Sequence, residues 1–197
     1  MTERDPINVQ VAGTAEKRSV IETIALAFAA DPVIRWLFPD PATFLNEFPE
    51  FVDAYGGNAF EHGCAHFAED FAAGALWLPP TVHPNEEALV DLFRTTVPEE
   101  RRADAFETLE ALDSFHPEAP FWHLPLIGTE PTQQRKGYGS ALLRHALDAC
   151  DREGAVAYLE STNPANLSLY VRHGFEVSGT IQIGEAPPLF PMRREPR

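Results

Sequence analysis

Seven consecutive residues, Gln134-Arg135-Lys136-Gly137-Tyr138-Gly139-Ser140, hold the most readable chemistry in the chain. They lie between an apolar stretch of strand character, Phe121 to Gly128, and a helical stripe of Ala141, Leu142, Ala146, Leu147 and Cys150. Glycines let a backbone turn tightly and approach a ligand, so N–H groups opening the next helix can converge on one anion. Arg135 and Lys136 add positive charge, and Arg144 sits one turn further along. A pyrophosphate suits such a nest. The spacing lacks the Gly-Lys-Ser/Thr ending of a nucleoside triphosphate loop and the three glycines of a dinucleotide fingerprint, leaving the pattern Gln-x-x-Gly-x-Gly. Taken alone, a glycine pair here can equally serve to pack a helix close to a sheet.

The longer string Ile127-Gly128-Thr129-x-Pro131-x-x-Gln134-x-x-Gly137-x-Gly139 resembles the acetyl-CoA motif of the GNAT acetyltransferases. A second string, Asn163-x-x-Asn166-x-x-x-Tyr170-x-x-x-Gly174-Phe175, is similar to another motif of that superfamily. The likeness extends to the puromycin N-acetyltransferase group through Ala27-Phe28-Ala29, Ala75 to Trp77, Pro120 to Leu124 and Leu159-Glu160-Ser161-Thr162. It is strongest after Pro117 and thin over 38–66 and 82–114, so fold and cofactor carry over better than substrate. The resemblance implies acetyl-CoA as cosubstrate, no metal, and direct acetyl transfer to an amine of a small molecule in a ternary complex. It places Leu126, Ile127, Gly128, Thr129, the 134–140 turn, Asn163 and Asn166 against the cofactor, and Trp77, Trp122 and His123 against the substrate.

The reaction explains why these residue types occur together. An amine attacks the thioester carbonyl, a tetrahedral oxyanion forms, and the sulfur leaves as a thiolate that benefits from a proton. Backbone N–H groups between Leu126 and Thr129 can meet the thioester oxygen and pair with the pantetheine arm like another strand. Tyr170 suits the role of general acid, because a phenol pKa of about 10 lies only a little above a thiol pKa of about 8.5. The amine must first lose a proton, and Glu160, His123 or a water chain can accept it. Glu160, ending a strand beside the expected cleft, is preferred. Alternation alone does not decide whether His123 faces the cleft or the opposite side of the sheet.

Plainer readings stand beside these. Tyr170, Trp77 and Trp122 are residue types that fill cores, and Glu160 can serve as a structural hydrogen-bond acceptor. His62, Cys64 and His66 could share one strand face as metal ligands, but no fourth partner is evident and the spacing is not that of a structural zinc site. A peptide N-acetyltransferase would need an open groove near Trp77 to Pro80. A non-catalytic acyl-CoA sensor would keep the glycine turn but not need Tyr170, and a structural α/β module would bind no CoA.

The 197 residues, 44% hydrophobic and 23% charged, can bury one full core, so a single domain over 1–197 is expected. The net charge of -15 argues against nucleic acid or an anionic membrane as partner and favours a cationic or neutral substrate. Met1-Thr2-Glu3-Arg4-Asp5 is charged with no apolar signal core after it, and no apolar run approaches a membrane span, so the cytoplasm is the expected location. Two cysteines are too few for a disulfide framework in a domain of this size. A homodimer is compatible with all of these features.

The elements that must position the site follow from periodicity. Ile7, Val9 and Val11 alternate as a strand, and Val20, Ile21, Ile24, Ala25 and Phe28 form a helical stripe ended by Asp31-Pro32. A second helix is expected from Phe44 to Tyr55, a hairpin over 65–78, and helix over 85–113. After the strand 121–128 and the helix bearing Cys150 come a strand over 155–160 and a helix that Asn163-Pro164 starts. Strands over 175–183 and 189–193 close the chain. The predicted fold is α/β, a central mixed sheet with helices on both faces and one parallel crossover after Phe121.

Overall fold

The computed structural model describes residues 6–118 and 120–197. The charged run Met1 to Asp5 and Ala119 lie outside the described residues.

Seven strands form one sheet: β1 (Val9–Val11), β2 (Ala65–Ala68), β3 (Ala73–Leu78), β4 (Phe121–Thr129), β5 (Val156–Ser161), β6 (Glu176–Val177) and β7 (Phe190–Arg194). Their order is β1-β2-β3-β4-β5-β7-β6, antiparallel except for the parallel pair β4–β5. That pair is joined by α7 (Tyr138–Glu153), the long crossover a parallel connection requires. The mixed sheet expected from the sequence is present.

Side-chain alternation divides the core in two. One face carries Ala75, Trp77, Trp122, Leu124, Ala157 and Leu159 against Leu142, Leu143, Ala146 and Cys150 of α7. The other carries Leu76, Leu78 and Leu126 against α1 (Lys17–Ala27), α2 (Pro32–Leu37) and α3 (Pro41–Gly56), with α4 (Asn58–Glu61), α5 (Glu86–Thr96) and α6 (Glu99–Asp113) extending that layer. The last helix, α8 (Leu167–Arg172), follows β5 after a 3-10 turn over Pro164–Asn166. None of the helices in the described residues is long and apolar enough to cross a membrane.

Three local expectations change. Asp31-Pro32 ends one helix but also starts another: Asp31 accepts hydrogen bonds from the N–H groups of Val33 and Ile34, and Pro32 takes the first position of α2. The expected helix over 85–113 is two helices, because Pro98, with φ of -51° and no N–H to donate, breaks it after Val97. The strand over 175–183 shrinks to Glu176–Val177, with a lone bridge between Ile181 and Leu189 beyond the Ser178-Gly179-Thr180 interruption.

Strand β4 contains a bulge. Leu76 pairs with Leu126 but Leu78 pairs with His123, so Leu124 and Pro125 together oppose Trp77. Proline cannot donate to a ladder and is tolerated inside a sheet at such a place. On the other side of β4, pairing with β5 covers Phe121, Trp122 and His123 and then ends. Past that point the two strands diverge.

His66 on β2 is buried under α7, its ring centroid 4.8 Å from that of His145, and its Nδ1 has no hydrogen-bond partner among the described residues. Burial, and then the charge of His145, lower its pKa to about 4. The unfolded chain, with an ordinary imidazole pKa near 6.5, therefore binds the proton first as pH falls. Stability is complete above about pH 6.5 and is lost toward pH 4, by about 3 kcal/mol from this group. Urea unfolding of His66→Leu against wild type at pH 7 and pH 4 should show an acid loss smaller by that amount in the variant.

Candidate active site

The bulge and the divergence shape a cleft through the middle of the sheet. An apolar inner cavity is lined by Leu124, Pro125, Leu126 and Ile127 of β4 and by Leu159 to Thr162 at the end of β5, with Phe28, Trp36, Phe51 and Phe93 from the covering helices. A larger cavity of about 700 Å³ opens on the α7 side, where Gly128, Thr129, Gln134, Arg135 and Gly137 to Ser140 face Asn163, Ser168, Leu169 and Arg172. Phe28, Ile127, Asn166 and Tyr170 line both. The two cavities meet at these side chains.

The larger cavity has the features of an anion cradle. Gly137 caps α7 in the left-handed region, φ 101°, where a side chain would be strained. Among the described residues no side chain caps this 16-residue helix, so its first N–H groups are left for an incoming acceptor at the positive end of the helix dipole. Arg135 also takes a positive φ, 63°, and lines the cavity. Lys136 does not line it: its Nζ donates to Gln133 Oε1 at 2.7 Å. Ser140 Oγ is 3.0 Å from His173 Nε2. Asn163 caps the turn before α8, its Oδ1 accepting from Ala165 N–H at 3.0 Å. Leu126 lies in the core and lines the inner cavity, not the larger one.

Across the inner cavity a polar cluster surrounds Glu160. Its Oε2 accepts from His123 Nε2 at 2.9 Å and from the Tyr55 hydroxyl at 3.3 Å, and His116 Nε2 lies 3.7 Å from Oε1. Burial pushes the Glu160 carboxyl up, but the charges of His123 and His116 and the hydrogen bonding around them outweigh it and hold the group at about 2. Burial also raises the pKa of Tyr170, and the negative charge of Asp31 adds to the rise, so its hydroxyl keeps its proton at neutral pH.

The structure resolves the facing of His123: it sits on the α3 side with Tyr55, their ring centroids 5.8 Å apart. Two assignments to substrate are corrected by the same alternation. Trp122 adjoins His123 in β4 and so points to the opposite face, where its Nε1 donates to Glu153 at 2.8 Å. Trp77, fully buried on that α7-side face, lines neither cavity. Arg144, which the sequence suggested for phosphate, is exposed and off the cavity wall. Among the described residues no group of three or more His, Cys, Asp or Glu could hold a metal ion.

Sequence reasoning missed Tyr55, His116 and Asp31. Asp31 is buried on the wall of the larger cavity and ties the start of α2 to the end of β5 through Thr162 Oγ1, which donates to its Oδ2 at 2.6 Å. Its signal was present, since Asp-Pro before Val33-Ile34 is a helix start. His116 and Tyr55 gave no local signal, because their partner Glu160 is remote in sequence.

Asp31→Ala should lower stability by about 1–2 kcal/mol through the lost cap alone, while Asp31→Asn keeps most of that cap. Thermal unfolding of the two variants side by side checks this.

The comparisons with known proteins agree with this geometry. Residues 100–175, from α6 through β4, α7 and β5 to the end of α8, match the acetyltransferase (GNAT) family. An uncharacterized N-acetyltransferase of Schizosaccharomyces pombe is 35% identical over 78 residues, 38% of this chain and 32% of that protein. The match thus spans about a third of that relative's length. A Corynebacterium glutamicum structure described as histone acetyltransferase HPA2 and related acetyltransferase superposes with a TM-score of 0.70 at 25% identity, covering 98% of this chain and 97% of that one. Arylalkylamine N-acetyltransferase 2 of Aedes aegypti shares the fold with a TM-score of 0.68 at 12% identity, over 98% of this chain and 100% of that one. The chain has the GNAT fold, and the matched segment with these neighbours supports its place in the GNAT acetyltransferase family.

Proposed function

We infer that the protein transfers an acetyl group from acetyl-CoA to the amine of a small molecule, by direct attack in a ternary complex within a single GNAT domain. The observation that carries this reading is the meeting of the two cavities at Tyr170, with an anion cradle on one side and a buried carboxylate, Glu160, on the other. The pyrophosphate of the cosubstrate would lie on the first turn of α7, with Arg135 beside it. Its pantetheine arm would run along β4 beyond His123, whose backbone has no β5 partner there. Leu126 and Ile127 would present that backbone to the thioester oxygen. Tyr170, still protonated, would give its hydrogen to the departing thiolate.

Glu160 is proposed to take the acceptor's ammonium end and its proton. A carboxylate held near 2 while its imidazole neighbours are charged is a weak base. A neutral His116 would weaken that restraint and leave burial to raise the carboxyl, so Glu160 and His116 titrate as a coupled pair. Glu160 is also the one acidic side chain on the wall of the inner cavity, which is otherwise mostly apolar. That lining suits an amine with a single positive charge on an apolar or aromatic body better than a polyamine. The likeness of Leu159-Glu160-Ser161-Thr162 to the puromycin N-acetyltransferase group keeps an aminonucleoside among the acceptors to try. A peptide acceptor fits less well, since Trp77 and Leu78 of the segment that would floor its groove are fully buried.

The cofactor half is tested by calorimetry. Gly139→Asp has room for its side chain, a Cβ there meeting only Leu169 at 3.4 Å, so the variant should fold yet bind no acetyl-CoA, because it sets an anion against the pyrophosphate. Wild-type affinity in the folded variant would remove the assignment. The chemical half is tested by thiol release from acetyl-CoA over a panel of arylalkylamines, aminonucleosides, polyamines and peptides. Tyr170→Phe should lower turnover by roughly 10²-fold with acetyl-CoA affinity nearly constant. An acyl-CoA sensor would show no turnover to lose, and wild-type turnover in the variant would defeat the role of the hydroxyl.

A further inference from the structure

The carboxylate of Glu160 is satisfied on one oxygen only. Oε2 receives both His123 and Tyr55, while Oε1 is buried with no hydrogen-bond partner among the described residues. Buried polar atoms are almost always paired, so an orphan carboxylate oxygen beside a cavity points to a group that arrives during function. His116 can carry a proton and lies close to Oε1, with Nε2 at 3.7 Å. The other ring nitrogen, Nδ1, lies 3.6 Å from Asp113 Oδ1 at the end of α6. Side-chain exposure rises along this line, from 4% at Glu160 through 33% at His116 to 80% at Asp113. One imidazole thus faces an interior carboxylate with one nitrogen and the solvent edge with the other.

We propose that His116 relays the acceptor's proton from Glu160 to solvent, restoring the carboxylate after each turnover. The inference rests on the amine-acetylation reading above. The ammonium N–H bond breaks and its proton binds Oε1, leaving the amine lone pair free to attack. That proton passes to Nε2, giving the His116 imidazolium and the Glu160 carboxylate. The imidazolium then loses its Nδ1 proton to water beside Asp113, and exchange through the exposed edge restores the starting tautomer. The net result is a neutral amine and one proton in solvent. The 3.7 Å separation must shorten to a hydrogen bond for transfer, as such contacts do when a substrate fills the site.

The surroundings favour His116 over His123. His123 is committed to Oε2 and almost fully buried. His116 is faced by Asp113 from α6, by Glu160 and Tyr158 from β5 and by His123 from β4, with His83, Glu86 and Tyr55 around the same outer cavity of about 300 Å³. Glu160 is the main influence raising its pKa above 6.5, and Asp113 adds to it against burial. With the Glu160 carboxylate at one nitrogen and the solvent edge at the other, this imidazole can take a proton on one side and release one on the other.

Two arms test the relay. Thiol release from acetyl-CoA with 2-phenylethylamine, measured from pH 6 to pH 9.5, should fall on the order of 10-fold at pH 7 in His116→Gln. The deficit should shrink toward pH 9.5 as free amine accumulates, and added imidazole should restore part of the rate at pH 7. A loss equal at every pH and unmoved by imidazole would make His116 merely structural, and no loss would remove it altogether. If the wild type releases no thiol from 2-phenylethylamine, the acceptor reading fails on that probe and the second arm decides the relay. By NMR the His116 ring should titrate above 6.5, shift down in Glu160→Gln, and shift down by a smaller step in the exposed-site variant Asp113→Asn. A ring that titrates below 6.5, or that ignores both substitutions, would overturn the proposal.

Discussion

Two residues of β4, Leu124 and Pro125, share the place opposite Trp77, and this one-residue excess governs the rest of the site. A bulge increases local twist and bends the strand that carries it. Pro125 makes the bend permanent, since it cannot return an N–H to a regular ladder. The parallel pairing of β4 with β5 stops at His123, so the sheet opens at its centre rather than at an edge. The helices above and below the opening then become cavity walls. Without the bulge, Leu124 to Ile127 would pair with β5 and the two cavities would be separated by a continuous sheet.

The opening also explains the electrostatic pattern. Two carboxylates, Glu160 and Asp31, are buried within it, each with its own means of support. Asp31 is held by two helix N–H groups and a threonine hydroxyl, a fixed arrangement that fastens α2 to the end of β5. Glu160 is held by an imidazole and a phenol that keeps its proton, with a second imidazole, His116, nearby whose pKa it raises. The first arrangement builds the wall. The second leaves the Glu160 charge coupled to the protonation of His116.

Much of this was legible from the sequence where local signals are strong. The glycine turn, the Asn163-Pro164 start and the amphipathic stripe of α7 set the larger cavity, because caps and periodicity act over a few residues. The surroundings of Glu160 were harder. The resemblance placed Trp77 and Trp122 against the substrate, yet strand parity turns them to the face under α7. Pro125 within an apolar run was the clue to the bulge, and it fixes that parity for the remainder of β4. Tyr55 and His116 come to Glu160 from elements far away in the chain, a juxtaposition only the assembled fold supplies.

The central claim is that the bulge opens a passage for a thioester between β4 and β5. A crystal structure of the protein with acetyl-CoA tests it most directly. The pyrophosphate should lie on the first turn of α7, the pantetheine arm beside Leu126 and Ile127, and the thioester in the gap between the strands near Tyr170. Acetyl-CoA bound with its thioester outside that gap, or on a face of the sheet that excludes Tyr170 and Glu160, would contradict it.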